Sequence, residues 1–123
     1  MKEKVAILGA SHNPERYAHK AFKLLQQYGH EPVPVNPAQS EIEGKKVYPT
    51  LGAIDFPVDT LTMYVGPAIS SKLEQDILSL HPKRVIFNPG SENPDLEKKL
   101  EQKGVQVVEA CTLVMLRTNQ FER

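Results

Sequence analysis

Short apolar runs alternate with longer amphipathic stretches along the whole chain. Runs at 5–8, 33–36, 59–65, 84–87 and 105–108 have strand length and are rich in Val, Ile and Leu. Three of them run into turns carrying an Asn-Pro pair: Gly9-Ala10-Ser11-His12-Asn13-Pro14, Asn36-Pro37 and Asn88-Pro89-Gly90. A residue before proline is pushed out of the helical region, and proline has no N–H for a sheet. Each pair therefore predicts an abrupt strand end, with the chain turning outward there.

Between these runs the apolar positions recur every three or four residues. The first helix is expected from about Pro14, with Asn13 as its N-cap and proline at the first helical position. Its apolar stripe is Ala18, Ala21, Phe22, Leu25 and Tyr28, and Gly29 stops it. The second helix carries Ile69, Leu73, Ile77 and Leu80 on one face and closes at Pro82; it starts at Pro67 or at the capping box Ser71-Lys72-Leu73-Glu74. The third runs from about Pro94 to Lys103, capped by Asn93 and stopped by Gly104. Residues 38–58 hold Gly44, Pro49, Gly52 and Pro57 around a short strand at 46–48. Pro32 and Pro34 place the second main strand near a sheet edge.

Strands alternating with helices of this length imply right-handed crossovers and a parallel sheet. The expected fold is α/β: one three-layer, Rossmann-like, doubly wound domain over residues 1–123, with main strand order 2-1-3-4-5. Ligands of such sheets bind beyond the carboxyl ends of the strands at the switch point, here beside Gly9 and Gly66.

Composition narrows the class. The 123 residues suffice for a core without metal or disulfide, and fifteen acids balance fifteen Lys and Arg, so no net field draws the chain to nucleic acid or anionic membrane. The single cysteine, Cys111, excludes an intrachain disulfide. Met1-Lys2-Glu3-Lys4 leads straight into a strand, and no apolar run has the length of a signal or spanning segment, so a cytoplasmic location is expected.

Gly9 follows the first strand and leads into a helix N-terminus, where unpaired N–H groups and the helix dipole favour an anion. The loop is not a dinucleotide fingerprint: positions 9, 11 and 14 are Gly, Ser and Pro. An NAD site also uses an acid at the end of the second strand, and that place holds Asn36. A phosphate-bearing ligand on the rim is therefore expected, with NAD disfavoured.

Four segments together carry a resemblance: residues 5–16, the Pro-Val-Asn-Pro at 34–37, the Gly-Lys-Lys-Val-Tyr-Pro-Thr-Leu at 44–51, and the Val-Asp-Thr-Leu-Thr-Met-Tyr-Val at 58–65. In order and spacing the chain resembles the small stand-alone CoA-binding proteins, and through them the CoA-binding domain of succinyl-CoA synthetase and of NDP-forming acyl-CoA synthetases. The resemblance covers residues 4 to about 116. It implies coenzyme A or acyl-CoA as the ligand, its pyrophosphate held by the loop of Gly9, Ala10, Ser11, Asn13, Pro14 and Arg16. Val35, Asn36 and Pro37 would then flank the adenosine, Tyr64, Val65, Gly66 and Pro67 would line the cleft, and Asn88, Pro89 and Gly90 would face the pantetheine arm. Three positions depart from the family pattern: Ala18 stands for a common glycine, Asn88-Pro89 for a Gln-containing loop, and Ala110 for a frequent Arg.

The synthetases of this resemblance use a phosphorylated histidine of a neighbouring domain and an ATP-grasp module, neither of which fits in 123 residues. A non-catalytic small-molecule binder is therefore expected. The alternatives are an NAD(P)-binding oxidoreductase-like domain and a ligand-sensing interaction module, since fold alone does not separate them. Two roles stay open for several residues. Asn13 caps a helix or meets phosphate, and Arg16 binds phosphate or a surface acid. Cys111 is a small core residue or a thiol facing the CoA sulfhydryl, and 113–116 is core or a dimer patch. His12 reads as an exposed loop residue and His19 as part of the polar helix face; the four histidines show no metal-ligand spacing. Arg16, Lys45 and Lys46 are the cations expected near the rim.

Overall fold

The computed structural model describes residues 2–122. Five parallel strands form the sheet: β1 (Lys4–Leu8), β2 (Glu31–Val35), β5 (Thr60–Met63), β6 (Arg84–Phe87) and β7 (Gln106–Glu109). Their order is β2-β1-β5-β6-β7, the 2-1-3-4-5 arrangement expected of the main strands. Consecutive residues of β1 feed opposite faces, as a strand requires. Val5 and Ile7 pack with Phe22 and Leu25 of α1 (Tyr17–Gln27) and with Met115 and Leu116 of α5 (Thr112–Arg117). Ala6 and Leu8 join the opposite core, with Ile77 of α3 (Glu74–Leu80) and Leu96 and Leu100 of α4 (Pro94–Gln102). Residues 113–116 are thus mostly core, with Val114 alone of the four exposed.

The prolines of β2 explain its place. The Pro34 carbonyl accepts from the Tyr48 amide on the outer side of β2, away from β1. The imino nitrogens of Pro32 and Pro34 share that side, where the sheet ends and no donor is required. Tyr48 forms a single parallel bridge with Val35, and just before it lies a two-stranded hairpin, β3 (Glu41–Ile42) with β4 (Lys45–Lys46). The expected strand at 46–48 is therefore a hairpin arm followed by one bridge.

Two expected helices differ in the structure. α1 begins at Tyr17 with Arg16 as N-cap, three residues later than expected. The Asn13 side chain accepts instead from the Glu15 amide, and Ser11 Oγ accepts from the Asn13 amide, so local side-chain bonds hold 11–15 as turns. The second helix is two pieces, α2 (Pro67–Lys72) and α3, broken at Leu73. No capping box forms at Ser71: its hydroxyl accepts from Asn93 Nδ2, which also donates to Ser70 Oγ. Asn93 does cap α4, its Oδ1 accepting from the Leu96 amide while Glu97 accepts from the Asn93 amide. Among the described residues no helix is long and apolar enough to cross a membrane.

Candidate functional site

An open cleft of about 450 Å³ lies over the carboxyl ends of β1, β5 and β6. It is walled by Gly9, Ala10 and Ser11 on one side, Val65 and Gly66 on another, and Pro89, Gly90 and Ser91 on the third. Arg16, Tyr17 and Ala18 bring the start of α1 to its rim, and Asn36 reaches it from β2. This is the switch point expected from the strand order, and its volume lies in the range of small-molecule sites.

The first turn is built by backbone contacts. The amides of Gly9 and Ala10 both donate to the Val35 carbonyl, at 3.1 and 3.2 Å. Gly9 has φ +93°, and a Cβ on it would lie 2.9 Å from the Tyr64 carbonyl oxygen and from Val65 Cγ1. The glycine is thus required by the close passage of the β5 exit, whatever sits in the cleft. Asn36 Nδ2 donates to the Ala10 carbonyl at 2.7 Å, and its Oδ1 accepts from the Ala38 amide at 2.7 Å. Both ends of this side chain serve loop geometry, and no carboxylate stands where ribose hydroxyls of NAD would be held.

With Gly9 and Ala10 amides spent, the donors left for an anion lie further on. The Tyr17 and Ala18 amides, in the first turn of α1, have no intrahelical partner, and among the described residues neither they nor the Ser11 amide make another hydrogen bond. The guanidinium of Arg16 is exposed and engages no acid among the described residues. The Ser11, Tyr17 and Ala18 amides and Arg16, without partners among the described residues, and the positive end of an eleven-residue helix therefore converge on the cleft. The other expected rim cations are elsewhere. Lys45 lies 3.7 Å from the Glu31 carboxylate and Lys46 sits over the Tyr48 ring, both beside a small separate hollow along β2.

The third wall is held from below. Asn88 is buried; its Nδ2 donates to Thr62 Oγ1 and the Met63 carbonyl, and its Oδ1 accepts from the Thr112 amide. Ser91 donates through both Oγ and its amide to the Asn88 carbonyl, which fixes the Pro89-Gly90 turn. Thr62 and Thr112 share a hydrogen bond of 2.8 Å, and the nearby Tyr64 hydroxyl is left outside bonding geometry and buried. Burial, with the Cys111 thiol beside it, pushes the Tyr64 phenol up, so it stays neutral. Cys111 itself is half-buried at the N-cap of α5 and does not reach the cleft surface.

The chain matches the CoA binding domain family over residues 3–117. It belongs to that family. Among its relatives is YneT of Bacillus subtilis, 27% identical over 106 residues that cover 86% of this chain and 78% of that protein. The alpha subunit of an ADP-forming acetate–CoA ligase from Pyrococcus furiosus is 34% identical over 62 residues, half of this chain and 14% of that subunit. A crystallised uncharacterized protein shares 43% identity and a TM-score of 0.92, covering 98% of this chain and 99% of its own. The similarity thus extends both to a separate small chain and to a short part of a much longer ligase subunit.

In this CoA-binding domain the residues expected to line the cleft divide. Gly9, Ala10, Ser11, Arg16, Asn36, Tyr64, Val65, Gly66, Pro89 and Gly90 are brought together around it. Asn13, Pro14, Val35, Pro37, Pro67 and Asn88 lie behind or beside that surface, Val35 and Asn88 as buried supports. Tyr17, Ala18, Met63 and Ser91 line it without having been singled out for it. The Tyr17 and Ala18 amides were not anticipated because the helix was expected to start at Pro14, which would have placed its first-turn amides earlier in the chain.

Proposed function

We propose that this chain binds coenzyme A or an acyl-CoA reversibly and catalyses no reaction on it. The observation that carries the reading is the group of amides at Ser11, Tyr17 and Ala18 beside Arg16, all without a partner among the described residues. Backbone N–H groups at a helix start bind phosphate oxygens well, and a guanidinium adds a charge-assisted, bidentate bond. The pyrophosphate would sit there, the adenosine toward Asn36, and the pantetheine arm along Gly66 and Gly90. An added Cβ at Gly90 would meet nothing within 4 Å, so that side of the rim is open enough for an acyl chain to leave.

The absence of turnover is supported by what the cleft presents. Catalysis by acid, base or nucleophile needs such a group at hydrogen-bond range of the substrate. Tyr64 is held neutral with its hydroxyl buried, Cys111 lies behind the wall, and the His12 side chain is exposed on the far part of the loop. Calorimetry with CoA, dephospho-CoA and NAD tests the reading. CoA should bind, and dephospho-CoA nearly as well, because Lys45 and Lys46 face away from the cleft. NAD binding equal to or tighter than CoA would overturn it, as would acyl-CoA hydrolysis or ligation above background.

A further inference from the structure

We propose that the exposed ring of Tyr17 is the stacking surface for the adenine of the ligand, and that it makes the cleft prefer a nucleotide-bearing ligand over the bare phosphopantetheine arm. This inference rests on the CoA-binding reading above and deepens it. Among the described residues, Tyr17, Ile69 and Val114 are the exposed large hydrophobic side chains, and Tyr17 is the most exposed of them at 68%. A single exposed apolar side chain is ordinary on a protein surface. What distinguishes this one is its place, because Tyr17 alone of the three lines the cleft.

The residue carries two separate groups to that place. Tyr17 is the first residue of α1, and its backbone amide is one of the cleft donors without a partner among the described residues. Its side chain adds a flat apolar face beside that donor. A phosphate on the amide therefore leaves the next part of the ligand within reach of the ring. The ring is also held from behind. Lys20, on the following turn of α1, places its Nζ 5.3 Å from the ring centroid, within the range of a cation–π contact. Lys20 does not line the cleft, so its ammonium leaves the cleft side of the ring open.

The chemistry of the ligand decides which part meets this ring. Adenine is the one aromatic group of CoA, and the pantetheine arm has none. The wall of Gly66, Pro89 and Gly90 carries no aromatic side chain, so it suits the arm and leaves the base to the α1 side. Asn36 reaches the cleft on that side from β2. Other rings are engaged elsewhere. Tyr64 packs against the core with its hydroxyl buried, which makes it fixed wall. Tyr48 and Phe56 meet edge to face at 6.0 Å beside the separate hollow along β2. Stacking uses the face of a base and not its hydrogen-bonding edge, so it adds affinity for any planar base with little choice among them.

Alanine at this position keeps the backbone amide and removes only the ring, so it separates stacking from phosphate binding. Tyr17→Ala should melt like the wild type, because the side chain is exposed, and should weaken CoA roughly tenfold by calorimetry. Tyr17→Phe should keep the wild-type affinity, since the ring and not the hydroxyl makes the contact. Phosphopantetheine, which has a phosphate and the arm but no base, should bind the wild type and Tyr17→Ala alike in an NMR titration. The Tyr17 ring protons should move upfield on adding CoA and stay in place on adding phosphopantetheine. Unchanged CoA affinity in Tyr17→Ala, or an equal loss for both ligands, would overturn this inference and leave the CoA reading standing. A wild type that binds no CoA overturns both.

Discussion

The two ends of the parallel sheet solve the same problem in opposite ways. At the amino ends of the strands, buried polar groups satisfy one another. Glu3 and Arg84 form a buried ion pair at 3.3 Å, Thr60 donates to Glu3 Oε1 at 2.6 Å, and Arg84 donates to Thr60 and to the Phe121 carbonyl. Phe121 lies between the Arg84 guanidinium at 4.6 Å and the His30 ring at 4.9 Å, which docks the last turn onto the sheet. At the carboxyl ends, donors are instead left over: Ser11, Tyr17 and Ala18 amides and Arg16 face an open cleft. Buried polar groups are nearly always paired, whereas donors on an open cleft remain available to solvent or to a ligand. The closed end is held by its internal bonds, and the open end keeps its donors at the cleft.

That division is most strongly broken by disrupting the closed end. Arg84→Ala leaves the Glu3 carboxylate buried and unpaired, and should cost about 3–5 kcal/mol in chemical denaturation. CoA affinity of the molecules that remain folded should be unchanged; a loss of affinity at this distance would show that the two ends are coupled. Gly9→Val tests the boundary between them. Its left-handed backbone and the 2.9 Å approach to Tyr64 predict a stability loss of about 2–4 kcal/mol together with lost binding. A variant that melts like the wild type would mean the β5 exit yields easily.

At the open end the sign is reversed. Arg16→Ala should leave the melting curve within about 0.5 kcal/mol of wild type while weakening CoA roughly tenfold to a hundredfold by calorimetry. Unchanged affinity would move the pyrophosphate elsewhere. His30 sharpens the closed end through pH. Burial, more than the opposing pull of Glu3, holds its ring below the ordinary histidine range, so the folded state favours the neutral form. The unfolded chain then takes up the proton more readily, and the stabilising contribution is complete above that range and lost as pH falls through it. The Glu3 amide donating to His30 Nδ1 at 3.0 Å requires the same neutral ring. Denaturation from about pH 7 to about pH 5 should show a slope below about 1.4 kcal/mol per pH unit that disappears in His30→Gln. The smallest effect is expected from the double variant His12→Ala, Cys111→Ala, which should keep CoA binding within about threefold, since neither side chain belongs to the cradle.

Sequence pattern carried the architecture because each signal was local. The Asn-Pro pairs end β1, β2 and β6 within a few residues of where the sheet ends them, and Asn93 caps α4 as its position before Pro94 implies. Alternation and handedness gave a parallel sheet, and the order 2-1-3-4-5 expected for it is the one observed. Ten of the sixteen residues expected at the site line the cleft, because strand ends in such a sheet converge by topology rather than by side-chain detail. Where the reading failed, two local signals competed. Asn13-Pro14 can begin a helix or close an Asx turn, and Ser11 bonding the Asn13 amide tips it to the turn. Ser71 can cap a helix or accept from Asn93, twenty-two residues away, and the distant partner wins.

What the chain determined by itself was therefore its strands, their parallel alternation with helices and the glycine at the first turn, products of backbone rules acting over a few residues. Only the tertiary structure decided which donors at that edge remain unspent, that Lys45 and Lys46 turn to the far side of β2, and that His19 is buried between Ser11 and Glu43. Each of those depends on a partner brought close by folding rather than by sequence. A hairpin at 41–46 pressed onto α1 turns a polar helix position into a buried bridge, and no periodicity along α1 records that the hairpin will be there.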